Sequence, residues 1–157
     1  MIETTGVTIR EASQEDASAT GALSEASQDE LGSIGKHRYW LTQQIDRGDV
    51  LVAETSEGEL VGFVVFNHNP LEEHEHTTVY YLCINSTYRR HGIGKRLMEA
   101  VAVDARLFGN RRIKLKCPTQ LSANHFYQRI GYTLERSQAA QEDSRLNVWT
   151  LSLRNNL

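Results

Sequence analysis

The hydrophobic period of this chain changes partway along, and that change limits its fold more than any other feature. Val50-Leu51-Val52-Ala53 and Leu60 to Phe66 are apolar, β-branched runs joined by Thr55-Ser56-Glu57-Gly58-Glu59, a hairpin signal. Thr77 to Ile84 is a third β-prone run. From Gly92 the period becomes about 3.6, placing Ile93, Leu97, Met98, Val101 and Ala105 on one stripe of a helix that Gly109 ends. Arg111 to Cys117 then alternates strictly, predicting Ile113, Leu115 and Cys117 inward and Arg112, Lys114 and Lys116 outward.

The flanks complete the pattern. Val7-Thr8-Ile9 reads as a first strand, and Ser13 caps a helix to about Ser27, with Asp16 as its reciprocal capping-box partner. A glycine-bearing loop from Asp29 to Gly35 leads to a second helix, Lys36 to Arg47, which presents Trp40, Leu41 and Ile45 and stops at Gly48. A short helix from Leu121 to Ile130 is closed by Gly131. Tyr132-Thr133-Leu134 and Leu146 to Leu153 form a last hairpin around a long charged loop. The order β-αα-βββ-α-β-α-ββ predicts an α/β fold of about seven strands in a mixed, mostly antiparallel sheet, with about four helices. Residues 1–157 are read as a single domain.

Composition excludes several functions. With 17 Lys+Arg against 20 Asp+Glu, the net charge of -3 provides no global field for a nucleic-acid backbone. Nothing approaches the ~18 uninterrupted apolar residues of a membrane span, and Met1-Ile2-Glu3 begins no secretory signal. Cys83 and Cys117 form neither a CxxC pair nor a disulfide framework, so they read as reduced thiols of a cytoplasmic protein. A homodimer is the default for symmetric assembly.

The stretch Tyr88-Arg89-Arg90-His91-Gly92-Ile93-Gly94-Lys95 lies between a predicted strand and the best-patterned helix. Glycines there allow close backbone approach to a ligand, and the helix start offers N–H groups to an anion. Arg89, Arg90 and Lys95 add positive charge, so the stretch reads as a cradle for phosphate or diphosphate. A Walker loop is excluded, because Arg89 stands where its first glycine belongs and Arg96 follows Lys95. A dinucleotide fingerprint is excluded because Leu97 replaces its third glycine. An ordinary strand-to-helix turn remains the simplest alternative.

Arg89-x-x-Gly92-x-Gly94 resembles the [Q/R]xxGx[G/A] motif of the GNAT family of N-acetyltransferases, with Leu82-x-Ile84 at its strand position upstream. Ala123-x-x-Phe126-Tyr127-x-x-x-Gly131-Tyr132 is similar to that family's A-x-x-[FL]-Y-x-x-x-G-F signature. The resemblance implies acetyl-CoA, held where two strands of the sheet splay apart. It implies diphosphate binding by Arg89, Arg90, His91, Gly92, Ile93, Gly94 and Lys95, and pairing of the pantetheine arm with Leu82, Cys83 and Ile84. A neutral primary amine, on a small molecule or a protein, would attack the thioester directly. A backbone N–H near Ile84 would stabilise the oxyanion, and Tyr127 would protonate the departing thiolate. Gln120 stands where the family often has Asn, with Asn124 four residues on as a substitute. Thr78 stands where some members carry a basic glutamate, so the resemblance assigns no general base.

Glu72-Glu73-His74-Glu75-His76 is an acidic, histidine-rich connector. It reads as a solvated connector, as an amine-recruiting rim in which Glu73, Glu75 or His76 accepts a proton, or as a metal site that adds His68. No HExxH pattern supports the metal, and none is expected. His37 and His125 read as surface or capping residues and Trp40 as packing. Two functions therefore compete: an amine acetyltransferase with Tyr127 and Glu75 as catalytic groups, and an acyl-CoA-binding sensor or partner subunit on the same fold. A zinc hydrolase is a third.

Overall fold

The computed structural model describes residues 6–26, 38–69, 75–141 and 143–153. In chain order its elements are β1 (Thr8–Glu11), α1 (Ala17–Ala26), α2 (Arg38–Asp46), β2 (Val50–Glu54), β3 (Leu60–Asn67), β4 (His76–Ile84), α3 (Ile93–Phe108), β5 (Arg112–Pro118), α4 (Ala123–Arg129), β6 (Thr133–Ala139) and β7 (Arg145–Ser152). Short 3-10 turns cover Gln14–Asp16 and Ser86–Tyr88. The strands form one seven-stranded sheet in the order β1-β2-β3-β4-β5-β7-β6. Packing divides the chain into two compact units, residues 1–66 with 81–101 and residues 67–80 with 102–157. The loop 29–35, His37, Glu72, Glu73 and His74 lie outside the described residues.

In the first unit, β1, β2 and β3 pair antiparallel, from Thr8 opposite Glu54 to Val50 opposite Val65. The continuous apolar runs of β2 and β3 are buried along their lengths, the pattern of strands covered on both faces. Leu23 of α1 and Leu41 and Ile45 of α2 pack with Val50, Val52, Phe63 and Val65, while Trp40 and Tyr81 close the edge of that core at 5.7 Å, edge to face. A single polar knot ties β1 to the start of α1. Arg10 forks onto both carboxylate oxygens of buried Asp16 at 2.8 and 2.9 Å and reaches Glu54 at 2.6 Å. Asp16 also accepts the Ser13 N–H at 2.7 Å, so the capping partnership is present, with a 3-10 turn preceding the helix proper.

In the second unit, β4 and β5 run parallel from His76 opposite Arg112 to Val79 opposite Leu115. β5 pairs antiparallel with β7 along its whole length, and β7 with β6. Ile113, Leu115 and Cys117 are buried and Arg112 and Lys116 exposed, as the alternation requires. Lys114 is half-buried and lies 3.6 Å from Glu135. The largest boundary difference from the sequence reading is in the last hairpin. It is longer, because Glu135 to Ala139, read as loop, extends β6. These residues sit on an edge strand exposed at nearly every position, so pairing to β7 holds them and no apolar period announces them.

The Arg10 knot holds the Asp16 carboxyl at about 2, below its ordinary 3.8. A carboxylate with a depressed pKa stabilises the fold above its unfolded value and loses that contribution as it protonates. Asp16→Asn should therefore cost about 2 kcal/mol in urea denaturation at neutral pH. The gap to the native chain should close as pH falls from 3.8 towards about 2.

Candidate functional site

The turn that leaves β4 is built by backbone geometry. Asn85 N–H donates to Val61 O at 2.8 Å, and the Asn85 side chain accepts the Thr87 N–H at 3.0 Å, opening the Ser86–Tyr88 turn. Gly62 lies behind the strand end, where an added Cβ would meet Ile84 Cδ1 at 2.8 Å and Cys83 O at 3.1 Å. The chain then takes left-handed conformations at Arg90 (φ 66°) and Gly92 (φ 80°). A Cβ on Gly92 would meet nothing within 4 Å, so conformation rather than space requires glycine there. Gly94 lies within the first turn of α3.

Arg96 N–H finds Gly92 O at 3.1 Å. The preceding backbone N–H groups, from Arg90 to Lys95, meet no backbone acceptor among the described residues. That is the ordinary condition of a helix start, whose dipole also favours an anion. Arg89, Arg90, His91 and Lys95 are exposed around it, Lys95 lying 3.9 Å from Glu99. Upstream, Leu82 and Ile84 are half-buried, while Cys83 is buried with its thiol 3.8 Å from Leu23 O. The first unit therefore brings the whole sequence-predicted phosphate stretch together with the Leu82–Ile84 strand end.

The second unit carries the predicted side-chain chemistry. Tyr127 is buried on α4, its ring 5.3 Å from Phe126 and 6.0 Å from Tyr132. Burial, then the neighbouring Cys117, raises its phenol well above the ordinary value of 10, so it is a protonated donor at neutral pH. Burial also pushes the Cys117 thiol up to about 11.

Asn124 is fully engaged within the protein. Its amide N–H₂ donates to Leu121 O at 2.7 Å and Pro118 O at 2.9 Å, and its oxygen accepts from Trp149 Nε1 at 2.8 Å and Asn147 at 3.0 Å. Gln120 is exposed in the turn before α4. The helix begins only at Ala123, not at Leu121, so Gln120 and Asn124 do not share a helical face.

Glu75 is exposed and left-handed (φ 67°), its carbonyl accepting the Arg111 N–H at 2.8 Å and its carboxylate 3.6 Å from Arg111. It immediately precedes a nine-residue strand about 30 Å long, which puts it at the opposite end of β4 from Leu82–Ile84. His76 is buried with Nε2 3.1 Å from Thr78 Oγ1, and His68 lies 2.7 Å from Thr77 Oγ1 and stacks on Phe108. Burial depresses the His68 pKa. Among the described residues no three His, Cys, Asp or Glu groups are placed to hold a metal, and no helix is long and apolar enough to cross a membrane. His125 is exposed, and Trp40 packs.

A family model described as the acetyltransferase (GNAT) family matches residues 19–132, a span that includes both motif stretches. The chain belongs to the GNAT acetyltransferase family.

Solved structures share this GNAT fold across almost the whole chain. Ard1 from Thermoplasma volcanium superposes with a TM-score of 0.81 at 19% identity, covering 96% of this chain and 99% of its own. A putative acetyltransferase from Salmonella typhimurium, yncA, solved with its cofactor acetyl-CoA, gives 0.79 at 16% identity and 96% coverage of both chains. The PaiA N-acetyltransferase from Thermoplasma acidophilum, in complex with coenzyme A, gives 0.73 at 17% identity, covering 90% of this chain and 97% of its own. No curated protein matches the sequence.

Sequence reasoning named Tyr132 only as a member of its signature; its hydroxyl, absent from the phenylalanine of the family pattern, was the available signal. Asn124 was read for a ligand, whereas its hydrogen bonds join the start of α4 to the end of β5 and to β7. Asn124→Ala should therefore lower stability by roughly 2–3 kcal/mol in chemical denaturation, because it leaves the buried Trp149 N–H without an acceptor.

Proposed function

We propose that this GNAT chain is an acetyl-CoA-dependent N-acetyltransferase that moves an acetyl group directly to a primary amine. The observation that carries the proposal is the start of α3: a run of backbone N–H groups without backbone acceptors among the described residues, framed by Arg89, Arg90 and Lys95. Such a helix start suits a diphosphate. The acetyl-CoA and coenzyme A complexes of two structural neighbours support the same choice of ligand.

In this reading the N–H groups from Arg90 to Lys95 hold the diphosphate with Arg89 beside them, and the backbone of Leu82 to Ile84 lies along the pantetheine arm. The side chain of Cys83 faces the packing under α1, so only its backbone takes part. A neutral amine attacks the thioester carbonyl, and a backbone N–H near Ile84 stabilises the oxyanion. As the C–S bond breaks, Tyr127 gives its proton to the thiolate. Its raised pKa keeps the phenol loaded with that proton throughout the neutral range. Gln120, exposed in its turn, remains available to the cofactor, and Asn124 holds α4 in place. Glu75 precedes β4 with its carboxylate 3.6 Å from Arg111, and this reading assigns the proton delivered to the thiolate to Tyr127 instead. Neither Cys83 nor Cys117 forms a disulfide, which suits a cytoplasmic setting.

Calorimetric titration should show acetyl-CoA binding; no heat and no thermal shift at millimolar ligand would contradict the proposal. Tyr127→Phe should lower kcat on the order of 100-fold while leaving acetyl-CoA affinity unchanged. Binding without transfer to any amine would instead support an acyl-CoA sensor on this fold.

A further inference from the structure

Tyr132 occupies the last position of the signature, where phenylalanine would fill the same space without a hydroxyl. Gly131, left-handed at φ 101°, turns the chain out of α4, and the Tyr132 N–H donates to Tyr127 O at 3.0 Å. This places the Tyr132 ring 6.0 Å from the Tyr127 ring, tilted by 57°. The residue is 4% exposed, and its hydroxyl oxygen has no hydrogen-bond partner among the described residues. A buried, unpaired hydroxyl lowers folding stability, so on packing grounds alone phenylalanine is the better residue. The Tyr132 ring is the neighbour of Tyr127, the group read above as the leaving-group acid, and Cys117 acts on Tyr127 from close by.

We propose, resting on the acetyltransferase reading, that Tyr132 is a positioning residue whose O–H donates a hydrogen bond to the Tyr127 oxygen while Tyr127 delivers its proton. The step balances within the established reactants. The amine nitrogen bonds to the acetyl carbon, and the C–S pair leaves with sulfur. Sulfur takes the Tyr127 proton, and the resulting phenolate is reprotonated by the proton the amine loses. Tyr132 keeps its own proton throughout. Its contribution is to a charge that exists only during the transfer, which raises kcat without strengthening cofactor binding. A catalytic hydrogen bond is commonly long before the substrate binds, in keeping with an unpaired hydroxyl in the free protein.

The test compares Tyr132→Phe, Tyr127→Phe and the double variant. The assay follows thiol release from acetyl-CoA with small diamines and short peptides carrying free amino termini, or with water where no amine is accepted. Tyr132→Phe should lower kcat on the order of tenfold, because a hydrogen bond to a charged group is lost. It should leave the Kd for acetyl-CoA unchanged and the Tm equal to or above the native value. In the Tyr127→Phe background it should cause no further loss, since both changes act on one proton transfer. A Tyr132→Phe rate within twofold of native, a lowered Tm, or a loss that persists without the Tyr127 hydroxyl overturns the proposal. Tyr127→Phe turning over at the native rate removes the acid assignment itself. A slow Tyr127→Phe beside a fast Tyr132→Phe removes only the role of Tyr132.

Discussion

The start of an α-helix leaves backbone N–H groups that no residue of that helix can satisfy. In this chain the start of α3 follows a strand by only a few residues, and the path between them is held from several sides. Asn85 is fixed to Val61, Gly62 lets β3 approach Ile84 and Cys83 closely, and Arg90 and Gly92 take left-handed turns. The result is an exposed row of donors at the positive end of a sixteen-residue dipole, with three cations beside it. A slightly acidic protein therefore gathers helix-start donors and positive charge at one turn, a placement that its net charge conceals.

The other unit contributes a different kind of chemistry. It buries two phenols and a thiol together, and burial holds all three protonated. Proton donation is the reaction such an environment favours, because the neutral form is the one burial prefers. The rigidity needed to keep Tyr127 in place comes from Asn124, which ties the helix to two strands through five hydrogen-bond partners.

Much of the fold was legible in the sequence because hydrophobic period is a direct record of burial. The switch from β-branched runs to a 3.6-residue stripe located β2, β3, β4 and α3 within a residue or two, and strict alternation located β5. The end of β6 was not legible, since its polar residues are held by pairing to β7 and not by an apolar face. The glycine turn into α3 was legible because glycine, helix start and cations coincide in one stretch. The hydrogen bonds of Asn124 and the ion pair of Glu75 were not. Their partners, Trp149 and Arg111, lie far along the chain, and no local pattern announces a hydrogen bond made by folding. The unpaired hydroxyl of Tyr132 belongs to the same class.

The account rests on where coenzyme A meets the chain, and amide-resolved NMR titration of the isotopically labelled protein with coenzyme A measures that most directly. The account predicts saturable shifts concentrated on the amides of Arg89 to Lys95 and of Leu82 to Ile84. Shifts that leave those amides unmoved, or a spectrum unchanged at millimolar coenzyme A, would contradict it.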